Sequence, residues 1–299
     1  MNQPGKFKAK VPWRKPRRCV SILGTSLSLG LFFFALAGAS PRIAHGQLEL
    51  TADKEAQRVF AGETRKITVI WHNPGDQDAS GEIRLRLYQA GSATAAPLSE
   101  KPWKKLEILP GQTVLESASM DFPAVNAETR FLIQWLEGTN HVIGKTEGLV
   151  YPTNLLGELK PLLGENVLGV LDPNNELKPL LKQNQVEFSD LGKAALEDFQ
   201  GKLAIIGPFS TKAQMREGLA QAIQKIARKG AAVVWIQPPD KPEPKLKPTF
   251  YSVPLDKGTV VVAQAKLCCD LENSPSAQLN LIRLAELALR PEPPVLPQP

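Results

Sequence analysis

Histidine is scarce in this chain: there are three residues in all, and none follows His141. That excludes an imidazole general base from the C-terminal half, and with it a Ser–His or Cys–His nucleophile built there. Cysteine is as sparse, with only Cys19, Cys268 and Cys269. Adjacent residues have Cα atoms about 3.8 Å apart, below the roughly 4.4–6.8 Å of an ordinary disulfide. Short of a strained bridge between neighbours, no internal disulfide framework is available. The pair reads as a strand end with one thiol buried and one facing outward, and the fold must rest on its core. G-x-S-x-G, a Walker loop and G-x-G-x-x-G are all missing, so neither an esterase elbow nor a nucleotide cradle is signalled. His72 and His141 fall at unrelated turns without a cysteine cluster, short of the three or four ligands zinc takes. No metal and no cofactor is expected.

Acidic residues are missing from positions 1–46, which carry eight basic ones. The remaining 253 residues hold 28 basic and 30 acidic side chains, so the chain's net charge of +6 comes from the leader. A nucleic-acid partner, which a basic chain would otherwise suggest, is therefore set aside. The leader has a basic segment to Arg18, the apolar run "VSILGTSLSLGLFFFALAGA" (20–39), and "SPRIAHGQ" with small residues at Ala44 and Gly46. This is the layout of a secretory signal peptide. Cleavage is expected after Gly46, with Ala39 as the rival site. An uncut run of this length is long enough to remain as a membrane anchor. Arg17–Arg18 supplies positive charge, and Cys19 precedes the apolar run, out of place for a lipidated cysteine.

Residues 47–152 read as an all-β domain. Strands are expected at 65–73, 81–89, 103–109, 113–122 and 129–137, with alternation such as Ile67, Val69, Trp71 and Ile83, Leu85, Leu87. A period of two means one face buried and one wet. Turn signals "NPGDQ", "LPGQT" and "EGTN" separate the runs. Trp71, Trp103 and Trp135 admit a sugar platform, but the inward rhythm of Trp71 and Trp135 favours core packing. The stretch "VFAGETRKITVIWHNPGD" (59–76) resembles the opening strands of secreted bacterial immunoglobulin-like modules.

Residues 153–290 change character. Apolar strands are expected at 166–172, 186–191, 201–209, 231–236 and 259–267, alternating with helices at 174–184, from Thr211 to Lys229, and from Ser274 to Arg290. The middle helix has Thr211 and Gln214 as a capping box, an apolar face through Met215, Leu219, Ala222, Ile223 and Ile226, and Gly230 at its end. Strand–helix alternation implies parallel βαβ units in a doubly wound sheet. "ELKPLL" occurs at 158–163 and 176–181 and reads as two similar short helices. Residues 291–299, "PEPPVLPQP", read as an extended tail.

The run "GTVVVAQAKLCCDLENSPSAQLNLIRLAEL" (258–287) is similar to the closing strand, loop and helix of degenerate class-I glutamine-amidotransferase-like domains of secreted bacterial proteins. Gly258, Val260–Val262, Gln264, Pro275, Ala277 and Leu281 carry the likeness, and "LAIIGPF", helix, "KGAAVVWI" follow in the same order. The resemblance implies a flavodoxin-like parallel sheet. Catalytic members of that family place a cysteine on a strand-to-helix elbow, with a histidine and a glutamate downstream. The elbow position here holds Gln237, Pro238 and Pro239.

The reading is thus of an exported, non-catalytic two-domain interaction or scaffold protein of the cell envelope. Its expected partner is another envelope protein, and its only membrane contact is an uncleaved leader. The alternatives are an accessory subunit or diverged hydrolase acting on carbohydrate, and a small-molecule sensor. A ligand, if bound, is expected outside the carboxyl ends of the parallel strands, among Asp172, Asn174, Gly207, Ser210 and Gln237. There Gly207 would let it approach the backbone, and the helix start at Thr211 would offer N–H groups to an anion. Asp172 lacks the second acid of a D-x-D pair, and its simplest role is to form a turn or cap a helix.

Overall fold

The structure, a computed structural model, describes residues 48–51, 56–193, 195–238 and 250–290. The leader and the 291–299 tail lie outside the described residues, as does Pro239. Among the described residues, no helix is long and apolar enough to cross a membrane.

Eight strands come first: β1 (Glu49–Thr51), β2 (Gln57–Phe60), β3 (Thr64–His72), β4 (Ala79–Ala90), β5 (Ala95–Ile108), β6 (Thr113–Asp121), β7 (Thr129–Glu137) and β8 (His141–Tyr151). They form a three-stranded sheet, β1-β3-β6, and a five-stranded sheet, β2-β8-β7-β4-β5. The alternation expected from sequence is what packs them. Ile67, Val69 and Trp71 of β3, with Ala118 and Met120 of β6, share one buried cluster with Ile83, Leu85 and Leu87 of β4 and Phe131, Ile133 and Trp135 of β7. β1, β2 and β8 were not expected. β1 and β2 are too short to show a period, and β2 is held by parallel pairing with β8, a long-range partner.

The chain then enters α1 (Leu159–Leu163), β9 (Leu168–Leu171), α2 (Leu177–Gln183), β10 (Phe188–Asp190), β11 (Leu203–Ile206), α3 (Leu219–Arg228), β12 (Ala232–Gln237), β13 (Phe250–Leu255), β14 (Gly258–Gln264) and α4 (Pro275–Leu289). These strands make a six-stranded sheet of order β10-β9-β11-β12-β14-β13. The two "ELKPLL" copies are the short helices α1 and α2. Leu168, Val170, Leu203, Ile205, Val234 and Val261 face α1, α2 and α4. Ala204, Ile206, Val233, Val260 and Val262 face α3 on the other side. A sheet covered on both faces needs continuous apolar strands, which accounts for runs such as "LAII" and "TVVVA".

Two expectations are corrected. The sheet is mixed rather than all-parallel, because β13 pairs with β14 antiparallel at the edge. Its proline, Pro254, masks it as a strand in sequence yet is tolerated at an edge. The helix expected from Thr211 is one 3-10 turn over Lys212–Gln214, and α3 starts at Leu219. Between them Met215 is extended and Gly218 is left-handed at φ 79°, so the backbone breaks where the apolar pattern runs on. α4 begins as expected, with the Ser274 hydroxyl accepting from Ala277 N at 3.3 Å.

Candidate functional site

Parallel pairing of β9 with β11 sets Leu171 opposite Ile206, and β10 lies on the far side of β9. Strand order therefore reverses between β9 and β11, and the loops after them leave in opposite directions, opening a crevice at their carboxyl ends. Leu171 O accepts from Gly207 N at 2.8 Å and holds the two exits together.

Asp172, the first residue past β9, is 5% exposed. Its Oδ2 accepts from Leu177 N at 2.8 Å and Lys178 N at 3.0 Å. These are the orphan donors of the first turn of α2, whose adjacent cap residue, Glu176, makes no side-chain cap bond. Asp172 thus caps the helix from a distance, and its Oδ1 has no partner among the described residues. Asn174 Nδ2 donates to Ser210 Oγ at 2.8 Å and to Pro208 O at 3.2 Å. Its Oδ1 accepts from Gln214 Nε2 at 2.7 Å, while Gln214 Oε1 accepts from Ser210 N at 2.7 Å and Thr211 N at 3.2 Å. Asn174, Ser210 and Gln214 therefore lock the two loops to each other. The Ser210 and Thr211 amides, expected to be open to an anion, are already bonded.

Gly207 has φ 105°, and a Cβ there would run into Ile236 O of β12. Glycine at this point is accounted for by strand packing. Gln237 ends β12 in register with Gln264 of β14 and makes no side-chain hydrogen bond to Asp172, Asn174 or Ser210. The structure thus brings Asp172, Asn174, Gly207 and Ser210 to one crevice, and it sets Gln237 on the next strand outside their network.

Beside that network is a cavity of about 700 Å³, walled by Asn174, Leu180, Phe209, Ser210, Cys269 and Leu271. Sequence reasoning missed the segment after β14, which contributes Cys269 and Leu271. The available signal was topological, since that loop also leaves a carboxyl strand end. Cys268 is buried and Cys269 exposed, and both are free. Desolvation, and to a lesser degree the neighbouring Cys269, pushes the Cys268 thiol up to about 12, which keeps it protonated and unreactive at neutral pH.

Elsewhere, His72 Nδ1 lies 3.0 Å from Thr113 Oγ1, and His141 pairs with Glu137 at 3.1 Å. Among the described residues, no group of three or more His, Cys, Asp or Glu could hold a metal ion. Trp71 and Trp135 are fully buried, 5.6 Å apart in edge contact. Trp103 stacks on Trp71 at 6.2 Å. Burial removes Trp71 and Trp135 from any sugar platform.

No family model matches this chain, and no curated protein sequence does. Among solved structures, a β-glucosidase from Listeria innocua in complex with gluconolactone is similar at 14% identity and TM-score 0.28, over 35% of this chain and 16% of that one. The alkylpurine DNA glycosylase AlkC of Pseudomonas fluorescens matches at 9% identity and TM-score 0.29, over 36% and 31% of the two chains. A β-glucosidase from Erythrobacter marinus matches at 11% identity and TM-score 0.27, over 35% and 15%. This chain thus spans less than a third of each of these three proteins.

Proposed function

We propose that this chain is an exported, non-catalytic interaction or scaffold protein of the cell envelope. In this reading, an immunoglobulin-like β module is joined to a flavodoxin-like domain of the glutamine-amidotransferase-like kind, and its partner is another envelope protein. The observation that carries the reading is the commitment of the crevice's polar groups. Asp172 caps α2, and Asn174, Ser210 and Gln214 satisfy one another. Catalysis needs a nucleophile beside a base and donors left free for a developing charge. The strand end that would carry the nucleophile in the resembling family holds Gln237 and Pro238, and proline removes a backbone donor there.

The test is turnover. The full chain is expected to release no product from glutamine, an aryl ester or an aryl glycoside. Turnover abolished by Ser210→Ala or Cys269→Ala, the crevice hydroxyl and exposed thiol, would sink the reading. Its export half is checked by sequencing the mature N-terminus in the native host: a start at Gln47 or Ser40 supports release, and an intact Met1 in membrane fractions favours the anchor.

The cavity of about 700 Å³ with its apolar wall of Leu180, Phe209 and Leu271 favours a second reading, a small-molecule sensor. That reading differs in requiring a small molecule that raises the thermal midpoint of the full chain.

A further inference from the structure

A strand at the edge of a sheet carries unpaired backbone groups, and charge on it discourages pairing with another chain. Among the described residues the edge strands are β1, β2, β5, β6, β10 and β13. Five of them hold charge within the strand: Glu49 in β1, Arg58 in β2, Lys104 in β5, Glu116 in β6 and Asp190 in β10. β13, "FYSVPL", holds none, and no register shift interrupts its pairing with β14. It is also apolar where it meets water. Phe250 and Tyr251 are 53% and 59% exposed, and Val253 is 36% exposed. Among the described residues, these two are the only aromatics in the set of exposed large apolar side chains.

The register fixes which backbone groups face outward. Leu255 pairs with Gly258 across a two-residue turn, so these two must exchange backbone hydrogen bonds. Alternation then gives Val253–Val260 and Tyr251–Val262 the same role. Phe250, Ser252 and Pro254 therefore turn their backbone groups away from β14, and the donor that proline lacks is on the open side. Among the described residues no backbone group bonds Ser252 from that side. Side chains divide by the same register. Phe250 and Ser252 share the α4 face with Ala263 and Val261, and Tyr251 and Val253 share the α3 face with Val262 and Val260.

We propose that β13 pairs antiparallel with β13 of a second copy of this chain, about a two-fold axis at Ser252, joining the two sheets into one. The strand complements itself in that register. The two Ser252 residues exchange N–H to C=O bonds, and each Phe250 N–H donates to Pro254 O of the other copy. Tyr251 lies opposite Val253, an aromatic against a β-branched side chain, and Phe250 lies opposite Pro254. With no charge in the strand, no like charges meet. Moving the axis to Val253 would lose the Ser252 donors' return bonds to proline. Moving it to Tyr251 would leave Val253 and Pro254 beyond the other strand. Two half-exposed aromatics and a valine per copy bury less than the roughly 1,200 Å² of a standard interface, so the dimer is weak and concentration-dependent. It uses no residue of the crevice network, and the inference stands whether or not the non-catalytic reading does.

The experiment has two arms, both on the full chain in detergent. Sedimentation equilibrium is expected to show a monomer–dimer exchange with a Kd of about 10–500 μM, the range of a small interface. Ser252→Lys sets like charges directly opposite on the axis and should weaken it at least about fivefold. Ser252 is exposed, so the melting curve of that variant at low concentration should match wild type. The second arm reads the register. With Cys19 and Cys269 replaced by serine, Ser252→Cys is oxidised with copper–phenanthroline. Residues that pair across the axis have Cα atoms about 5.5 Å apart, within disulfide range, so a covalent dimer is expected. Lys257→Cys, equally exposed in the same hairpin, would stand at least about 20 Å from its counterpart and should cross-link far less. The proposal is overturned if the chain stays monomeric to about 1 mM, past the expected range. Dimerisation indifferent to Ser252→Lys, or cross-linking as strong from position 257 as from 252, overturns it too.

Discussion

Asp172 shows at the scale of one residue why a suggestive position need not be a reactive one. An acid at the carboxyl end of a buried parallel strand stands where metals and phosphates bind in other proteins. Here its Oδ2 takes two backbone donors of α2, at 2.8 and 3.0 Å, and a negative charge at a helix start also meets the positive end of the dipole. Asp172→Ala removes both bonds and is expected to cost about 1–2 kcal/mol, the range of a lost cap. Asp172→Asn keeps one acceptor and should cost less. Urea denaturation of the two variants measures the difference, and equal stabilities would remove the capping role.

Between elements, α2 packs on the sheet through Leu177, Leu180 and Leu181, and an ion pair adds a further tie. Lys178 Nζ of α2 lies 2.9 Å from Asp190 Oδ1 of β10. The hydrogen bond from Lys178 holds the Asp190 carboxyl below its usual range; burial opposes this, and the backbone N–H of Gly192 assists. The sign follows from linkage. A carboxyl with a lowered folded value contributes stability that is complete above the unfolded value of about 3.9 and is lost as the pH falls through the folded value. Wild type should therefore exceed Lys178→Met in stability by a constant margin, under about 1 kcal/mol for so shallow a pair, at pH near 6, and the margin should shrink below about pH 4. Urea midpoints at several pH values measure it; a margin that grows on acidification contradicts the assignment.

In the whole molecule the β half and the α/β half share a core. Phe60 of β2 and Tyr151 of β8 belong to the cluster formed by Leu155, Leu156 and Leu159 with Leu281 and Ala285 of α4. Arg65 Nη2 donates to Asn273 O at 2.8 Å, and Arg58 Nη1 to Ser276 Oγ at 3.4 Å, across the same seam. Phe60, 3% exposed, is the side chain to remove: Phe60→Ala is expected to cost about 3–5 kcal/mol. Calorimetry should show a single transition in wild type and a single, lower one in the variant. Two separated transitions in wild type would mean that the halves fold independently.

How much of this was legible in the sequence varies with the range of the interactions. Alternation in β3, β4 and β7, the uninterrupted apolar runs of β11, β12 and β14, and the Ser274 start of α4 follow from local composition, because burial on one face or on two leaves a periodic mark. The same locality marks "ELKPLL" as two short helices and leaves no histidine after His141 for catalysis. β2 and β13 were not legible, since each exists through pairing with a strand remote in sequence or hidden behind prolines. Nor was the break at Gly218, where one left-handed residue interrupts an apolar pattern that continues past it. Composition brought Asp172, Asn174, Gly207 and Ser210 into consideration together. Only the packed loops decided that Asn174, Ser210 and Gln214 bond one another and that β12 fills the space at Gly207. Hydrogen-bond partners at loop ends depend on positions in space that no local pattern records, so tertiary structure alone determined them.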